Sequence, residues 1–567
     1  MSLKPKPFRR IVQTVCLILF LALLAGAGHI RESDLFLRLD PLLVGITAIS
    51  ARLLTWAFLP ALIVFGSAFF LGRAFCGYIC PMGTTIDGTD RCFGKSGAKK
   101  KAAPAWLPDR LNRYILVFLA AAALPGISLV YWFAPLSLIT RFYGLILYPV
   151  LELTAAGALG VLYPLASQLD IRSLMFAEIA PPRFATQFFI LAIFILIFAA
   201  VRITPRFWCR YLCPAGGLLA LASKKPLLRR RVSEACNECG ICARQCPMGA
   251  IDPQNIELTD HAACIACRTC EAVCPQDAVS FSFRPAAEAG TEADSRQDTD
   301  PARRQFVMAG LAGLGTAALT LTGLKTVAGA PAEARVRAAR LIRPPGALPE
   351  ADFLARCVRC GACMNACPTN TLQPIWLDAG FIGMFSPAIT PDRKYCDPRC
   401  TACGDVCPTG AIRSLSDDER VWARTGTAVI NRQKCLAWEH KKSCMVCDEV
   451  CPYDAVEFEK KPELPYPVPH VEEARCAGCG YCEHYCPVTN DPAIFVTPMN
   501  EVRLKTGSYR ETGKRRKYEL TLRPKSDPLV PKTYPGGDTW RPEGNKPKPK
   551  SDSEEIAPGF DQGYSDE

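Results

Sequence analysis

At 567 residues the chain is long enough for three or more domains. Apolar residues make up 49% and charged residues only 21%, which is high in apolar content for a soluble protein and fits a chain that lies partly in a membrane. The net charge of +12 does not mark a nucleic-acid partner. Much of the basic excess sits beside apolar segments, at Lys4 to Arg10, Lys95 to Lys101 and Lys224 to Arg231, where membrane topology places it.

The chain carries 30 cysteines. Twenty-four of them fall into six quartets, each ending in Cys-Pro. In a small secreted protein such a density would mean disulfides. Here the spacing is that of bacterial four-iron clusters, whose ligands are thiolates and must stay out of disulfides during assembly.

Residues 1–230 read as an α-helical membrane domain. Apolar runs near spanning length occupy 11–28, 52–72, 115–132 and 187–201. Lys4, Lys6, Arg9 and Arg10 place the N-terminus in the cytoplasm, and Arg73, the basic loop at 95–101 and Arg202, Arg206 and Arg210 agree with four spans. Residues 142–167, broken by Pro149, Glu152 and Pro164, are expected as a re-entrant or interfacial segment on the outer side.

Two copies of one motif come after the second and fourth runs. Arg73-Ala-Phe-Cys76-Gly-Tyr78-Ile-Cys80-Pro81-Met-Gly83 matches Arg206-Phe-Trp-Cys209-Arg-Tyr211-Leu-Cys213-Pro214-Ala-Gly216. Cysteines four apart share one helical face, and the next proline ends or bends the helix. Cys76, Cys80, Cys209 and Cys213 are therefore candidate metal ligands. The competing reading is that they shape the helix ends and pack. Cys16 reads as a packing residue. On the outer side His29, Arg31, Glu32, Asp34, Asp40, Arg141 and Glu152 are the polar groups from which a quinol site would draw a proton acceptor. Solvated loop positions are the plainer reading of each.

Residues 231–285 form a two-cluster ferredoxin module. Cys236, Cys239, Cys242 and Cys246 precede Pro247, and Cys264, Cys267, Cys270 and Cys274 precede Pro275. Three close thiolates hold one cubane and the fourth crosses to the other. The expected ligand sets are Cys236, Cys239, Cys242 with Cys274, and Cys264, Cys267, Cys270 with Cys246. Zinc also takes Cys-x2-Cys pairs, but two tandem sets of this spacing favour iron. Residues 286–302, rich in Ala, Glu, Asp and Gly, read as a linker.

At 303–324, Arg303-Arg304-Gln305-Phe306 opens an apolar run. The pattern resembles a twin-arginine export signal, which carries folded domains across a bacterial membrane. The plainer reading is a fifth membrane anchor with a basic flank. Both readings put the residues beyond 324 on the opposite side of the membrane from the first ferredoxin module. Ala328-Gly329-Ala330 resembles a cleavage site, but Pro331 opposes cutting, so an uncut tether is expected.

Residues 340–500 carry four more quartets: Cys357, Cys360, Cys363, Cys367; Cys396, Cys400, Cys403, Cys407; Cys435, Cys444, Cys447, Cys451; and Cys476, Cys479, Cys482, Cys486. His440 and His484 sit inside these motifs. His484 is placed to bond a cluster, with an ordinary surface histidine as the plainer reading. Residues 507–567, rich in Pro, Lys, Asp, Glu and Gly, read as a disordered tail.

With their repeated Cys-x3-Cys-Pro, the first 285 residues resemble the NapH-type membrane ferredoxins of periplasmic nitrate reductase systems. Residues 303–500 resemble the NapG- and MauM-type ferredoxins. That second likeness rests on the twin arginines, on Arg343-Pro-Pro-Gly-Ala-Leu-Pro-Glu350, and on Phe353-Leu-x2-Cys357-x2-Cys360-Gly-x-Cys363-x3-Cys367-Pro-Thr-Asn. The two families are normally separate chains and here they are fused. The resemblance implies that the outer motifs of the second module exchange their fourth cysteines and that the inner ones do too. Cys486 would then complete the Cys357 set, Cys367 the Cys476 set, Cys451 the Cys396 set and Cys407 the Cys435 set. It also implies quinol as electron source and an extracytoplasmic reductase or cytochrome as partner.

The expected architecture is thus multi-domain: four membrane helices, a fifth twin-arginine-like helix, and α+β bacterial-ferredoxin-like modules. The expected location is the bacterial inner membrane, multi-pass, with the first module cytoplasmic and the second extracytoplasmic. The expected function is electron transfer through six 4Fe-4S clusters, between quinol or a cytoplasmic donor and an extracytoplasmic reductase. The alternative is a maturation or regulatory factor that reduces a metal site or disulfide in a partner, as the shared Cys-x3-Cys-Pro core of NosR-like and copper-reductase relatives suggests. No dinucleotide fingerprint or nucleophile constellation is present to make the chain an enzyme beyond a quinol dehydrogenase component. Both Cys-x3-Cys-Pro motifs are expected at the inner edge, where they do not bridge the bilayer. A diffusing quinone or a haem partner would then have to complete the path.

Overall fold

A computed structural model describes residues 5–28, 30, 32–93, 107–108, 110–168, 181–283, 301–321, 340–488 and 490–523. The linker at 286–300, the stretch around Ala330, His29, Arg31 and the chain beyond 523 lie outside the described residues.

The first 222 residues make a bundle of apolar helices. α1 is Pro5–Ala25, α2 Pro41–Ala51, α3 Leu59–Leu71, α4 Ala74–Tyr78, α5 Pro81–Phe93, α6 Leu111–Ala123, α7 Pro135–Phe142, α8 Tyr148–Gln168, α9 Gln187–Ala199 and α10 Pro214–Ala222. Among the described residues only Pro7–Ala25 and the continuous stretch Pro135–Pro164 are long and apolar enough, by length and composition, to cross a membrane. α3, α6 and α9, in three of the expected runs, are 13 residues each. Residues 142–167, expected as a re-entrant or interfacial segment, are helical throughout and continue α7. A π-helical turn at Tyr143–Leu147 comes just before Pro149. Such a wide turn suits a residue that has no N–H to return.

α2 begins at a buried side-chain cap. Asp40 caps it, accepting from the N–H of Leu42 and Leu43, and Asp40 is 1% exposed. Of the seven candidate polar groups, His29 and Arg31 lie outside the described residues and Glu32 is exposed, whereas Asp34 pairs with Arg38 and buried Arg141 donates to the Tyr131 carbonyl.

The Cys-x3-Cys-Pro segments differ from single capped helices. α4 stops at Tyr78, and Pro81 opens α5. In the second copy a π-helical turn covers Trp208–Leu212, Cys213 is the cap, and Pro214 opens α10. Each proline starts a helix, where its missing N–H has no intrahelical partner to lose.

Among the described residues four antiparallel pairs run through the ferredoxin-like modules. β1 Leu228–Val232 pairs with β2 Val279–Phe283 around the first module. In the second, β3 Leu372–Pro374 pairs with β4 Pro387–Ile389. β5 Thr427–Ile430 pairs with β8 Ile494–Thr497, and β6 Val456–Glu459 with β7 Val468–Val471. The part of the expected tail up to 523 is folded, which corrects the disordered reading there. Tyr509 and Leu520 are buried. Ser508 caps a helix over Tyr509–Arg515, Glu419 accepts from the Tyr509 N–H, and Arg523 pairs with Asp448 and Asp454. A few apolar side chains among many charges escape a compositional reading.

α11, Pro301–Leu321, contains the twin arginines in its first turn, and both are exposed. It packs along α6. A side chain at Gly310 would touch Val117, and one at Gly313 would strike the Phe118 carbonyl. Small residues let the two backbones approach closely.

The two ferredoxin modules sit at opposite ends of α1. Arg9 near its start donates to the Gly77 carbonyl at 3.1 Å, where Tyr78 donates to Ala266 of the first module at 3.1 Å. Near the other end the Leu24 carbonyl accepts from Asn365 of the second module at 2.7 Å. Residues 9 and 24 are separated by about 22 Å of helical rise.

Candidate iron–sulfur sites

Each regular Cys-x2-Cys-x2-Cys segment folds the same way. The residue before the second cysteine is left-handed: Glu238, Ala266, Arg359 and Gly478. So is the residue after it: Gly240, Arg268, Gly361 and Gly480. Left-handed backbone costs a non-glycine residue about 1 kcal/mol. Repeating it at matching positions turns the loop around a common centre and directs backbone N–H groups inward, a concavity suited to an anion. A short helix of four or five residues then carries the third cysteine.

In the first module Cys246, Cys264, Cys267 and Cys270 line one cavity of about 360 Å3. This is the set expected from spacing. Cys236, Cys242 and Cys274 pack in the adjoining small core with Ile251, Ile256 and Val279, and Cys239 is exposed.

The second module corrects the implied exchange. Cys451 lines a cavity of about 340 Å3 with Cys476, Cys479 and Cys482. Cys486 lines one of about 380 Å3 with Cys435, Cys444 and Cys447. Cys407 lies close enough to Cys357, Cys360 and Cys363 for their thiols to interact electrostatically. Cys367 does the same with Cys396, Cys400 and Cys403. Fourth cysteines are therefore exchanged between consecutive motifs, first with second and third with fourth. The physical reason is modular: β5 and β8 enclose the last two motifs as β1 and β2 enclose the first module.

Hydrogen bonds reach several of these sulfurs. The N–H of Ala250, Ile412, Ala455 and Ala428 donate to Cys246, Cys407, Cys451 and Cys476 at 3.3–3.4 Å. Arg420 donates to Cys396 at 3.2 Å. Such donors favour the more negative state of a cluster and raise its potential. Burial pushes the thiols of Cys264, Cys270 and Cys360 up to about 12. Without a metal they hold their protons at neutral pH, and iron must displace them. His484 stands against the rings of Tyr395 and Tyr485 rather than on a sulfur, and His440 is exposed.

The pockets adjoin one another in space. The Cys396 N–H donates to the Cys479 carbonyl at 2.8 Å, joining the second pocket of this module to the fourth motif's. Cys482 interacts with Cys447 of the remaining one. At the bundle end, Ser137 donates to the Val358 carbonyl at 2.7 Å, between Cys357 and Cys360.

The Cys-x3-Cys-Pro motifs also meet. Cys76, Cys80, Cys209 and Cys213 line one cavity of about 430 Å3, together with Asp40, Arg73, Trp208 and Pro135. Among the described residues no three His, Cys, Asp or Glu side chains converge as ligands of a single ion. Four thiols around one cavity are donors of the kind that hold iron–sulfur clusters.

Comparison with known proteins agrees with this chemistry. The family described as a 4Fe-4S binding domain matches residues 53–100 and 186–233. A 4Fe-4S dicluster domain matches 235–279, and a further 4Fe-4S binding domain matches 354–373. The methylamine utilization ferredoxin-type protein MauM of Paracoccus denitrificans is 38% identical over 174 residues, 29% of this chain and 73% of that protein. The chain belongs to the MauM and NapG family of ferredoxin-type proteins. MauM of Methylorubrum extorquens is 35% identical over 35% of this chain and 90% of its own length. The ferredoxin-type protein NapG of Escherichia coli is 35% identical over 32% of this chain and 80% of its own. Each of these family members matches about a third of the chain. The protein is an iron–sulfur electron-transfer protein.

Proposed function

We propose that the chain is a multi-pass protein of the bacterial inner membrane that carries electrons between quinol or a cytoplasmic donor and an extracytoplasmic reductase or cytochrome. It would hold six 4Fe-4S clusters on the 24 quartet cysteines, the first module in the cytoplasm and the second outside. Each cluster would supply a one-electron carrier. The chain's own contribution is spacing: β-framed units hold neighbouring pockets in contact, and buried N–H donors set their relative potentials. The observation that carries this reading is the serial order of pockets, with the two modules docked at opposite ends of α1.

The basic flanks at Lys4 to Arg10 and at Arg202 to Arg210 support a cytoplasmic first module. The N-terminal arginines of α11, succeeded by an apolar helix packed along α6, support export of the second. The charge step across the membrane would couple electron flow to the potential, at about 2.3 kcal/mol per 100 mV.

The test is the purified chain in liposomes, given quinol on one side and, separately, a strong cytoplasmic-type reductant, with the clusters monitored by paramagnetic resonance. Reduction of second-module signals is expected. If neither donor reduces any cluster, the electron-transfer route is wrong. A reporter fused after residue 500 should be active only outside the cytoplasm, and activity confined to the cytoplasm would reverse the topology.

A further inference from the structure

We infer that Cys76, Cys80, Cys209 and Cys213 hold a seventh four-iron cluster, and that this cluster is the redox step between the two modules. Its role rests on the electron-transfer reading above. Its presence does not.

The site is built by both repeats. Arg73 stands three residues before Cys76, and its guanidinium lies against Gly216, three residues after Cys213. Arg206 stands three residues before Cys209, and its guanidinium donates to the carbonyl of Gly83, three residues after Cys80, at 3.3 Å. Each repeat's arginine thus crosses to the other's glycine, which closes the four thiols round one cavity. A side chain at either glycine would occupy the arginine's place or the Cys76 carbonyl's.

The two arginines differ in what balances them. Arg206 makes two bonds to Asp87, at 2.6 and 2.7 Å. The residue at the equivalent place in the other repeat is Ala220, which has no charge. Arg73 is 3% exposed. It donates to the Ala262 carbonyl at 3.3 Å, and its Nε has no partner. The Nε1 of Trp208, on the same wall, is also unpartnered and buried. Asp40 is the acidic group of that wall: Oδ1 caps α2 and Oδ2 is unpartnered. Asp40 makes no ion pair with Arg73, and a buried cation without a bonded counter-charge is costly. Four thiolates around iron and sulfide carry a net negative charge and would supply it. At about 430 Å3 the cavity is no smaller than the ferredoxin pockets, at about 360, 340 and 380 Å3. The space among these four thiols is thus of the same order as that in the ferredoxin loops.

Its position makes it a relay. Gly77, next to Cys76, lies so near the first module that an added Cβ would be 2.6 Å from the Ile265 carbonyl, between Cys264 and Cys267. On the other side Pro135 lines the cavity, and Ser137, two residues on, bonds the Val358 carbonyl between Cys357 and Cys360. One electron arrives from the Cys264 side and one leaves to the Cys357 side, or the reverse. No atom or proton has to move. The motifs thus lie between the two modules. They connect the ligand loops of both modules.

The experiment counts iron and acid-labile sulfide in the full chain, purified without oxygen and reconstituted. The parent should hold about 28 irons, and the Cys76→Ala/Cys209→Ala variant about 24, at four per cubane. A variant that retains all the parent's iron, or that loses one zinc instead, overturns the proposal. A variant that loses far more than four irons has misfolded, and the decision passes to Arg73→Gln with all cysteines intact. Removing that cation disfavours the added electron, so one cluster's midpoint should fall while the others hold. If no midpoint moves, the site is not occupied as inferred. A parent with the seventh cluster that fails to pass electrons in liposomes would refute the function and leave the site standing.

Discussion

The exchange of fourth cysteines in the second module makes a prediction that iron stoichiometry can decide. A cubane that loses one ligand by Cys→Ala is lost as a unit of four irons. Removing a second ligand of the same cluster costs nothing more, while removing a ligand of a different cluster costs four again. The structure puts Cys407 with Cys357, Cys360 and Cys363, and Cys486 with Cys435, Cys444 and Cys447. Cys357→Ala should therefore lose about 4 irons, and Cys357→Ala/Cys407→Ala also about 4, whereas Cys357→Ala/Cys486→Ala should lose about 8. The nested pairing implied by the family resemblance reverses the two double variants. The assay is colorimetric iron and acid-labile sulfide per chain on anaerobically purified protein, with the redox-titrated resonance spectrum confirming which signals remain. Additive loss for the Cys357/Cys407 pair, together with non-additive loss for Cys357/Cys486, would refute the consecutive pairing.

Three further outcomes rest on named contacts. Asp87→Asn leaves Arg206, which is fully buried, without its counter-charge. It should cost about 3–5 kcal/mol, seen as a lowered melting temperature in detergent. Asp87→Asn/Arg206→Gln should recover part of it, and an unchanged melt for the single variant would show that the pair is not what holds the repeats together. Gly77→Val places a Cβ against a backbone carbonyl that cannot yield. Hydrogen exchange at residues 262–268 should rise as the first module is pushed off the bundle, and unchanged protection would mean that the contact is not made. Glu350 is held below the usual carboxylate range: burial works against its charge, but Arg343 and Arg503 outweigh it. Because it is partly exposed, Glu350→Gln should cost only about 1 kcal/mol at neutral pH. This stability exists above the ordinary glutamate range and fades as pH falls through the folded carboxyl's value, so the difference from the parent in a thermal melt should shrink on acidification and must not grow.

Much of the candidate chemistry was legible in the residues. Cysteine triplets such as Cys264, Cys267 and Cys270 are local, and the left-handed positions that fold them lie inside the motif. The place of Cys246 beside Cys264, Cys267 and Cys270 was also readable, because only one partner motif was available. With four motifs in a row the fourth ligand becomes a non-local choice among topologies, and spacing cannot select one. The folded segment at 508–523 was not legible because Tyr509, Tyr518 and Leu520 are sparse among charges. Their burial depends on the surface formed by Asp417–Trp422 and its neighbours.

By itself the sequence determined which thiols exist, how they group in threes, and that two matching Cys-x3-Cys-Pro motifs lie far apart in the chain. Each of these is set within a short stretch of chain by ligand spacing and backbone handedness. Only the tertiary structure decided which cysteine completes each set of the second module. It also decided that the two motifs close on one cavity, with Asp40 and Pro135 in its wall. Those outcomes depend on how the helices α2, α5, α7 and α10 pack, which apolar runs specify by burial but not by pairing.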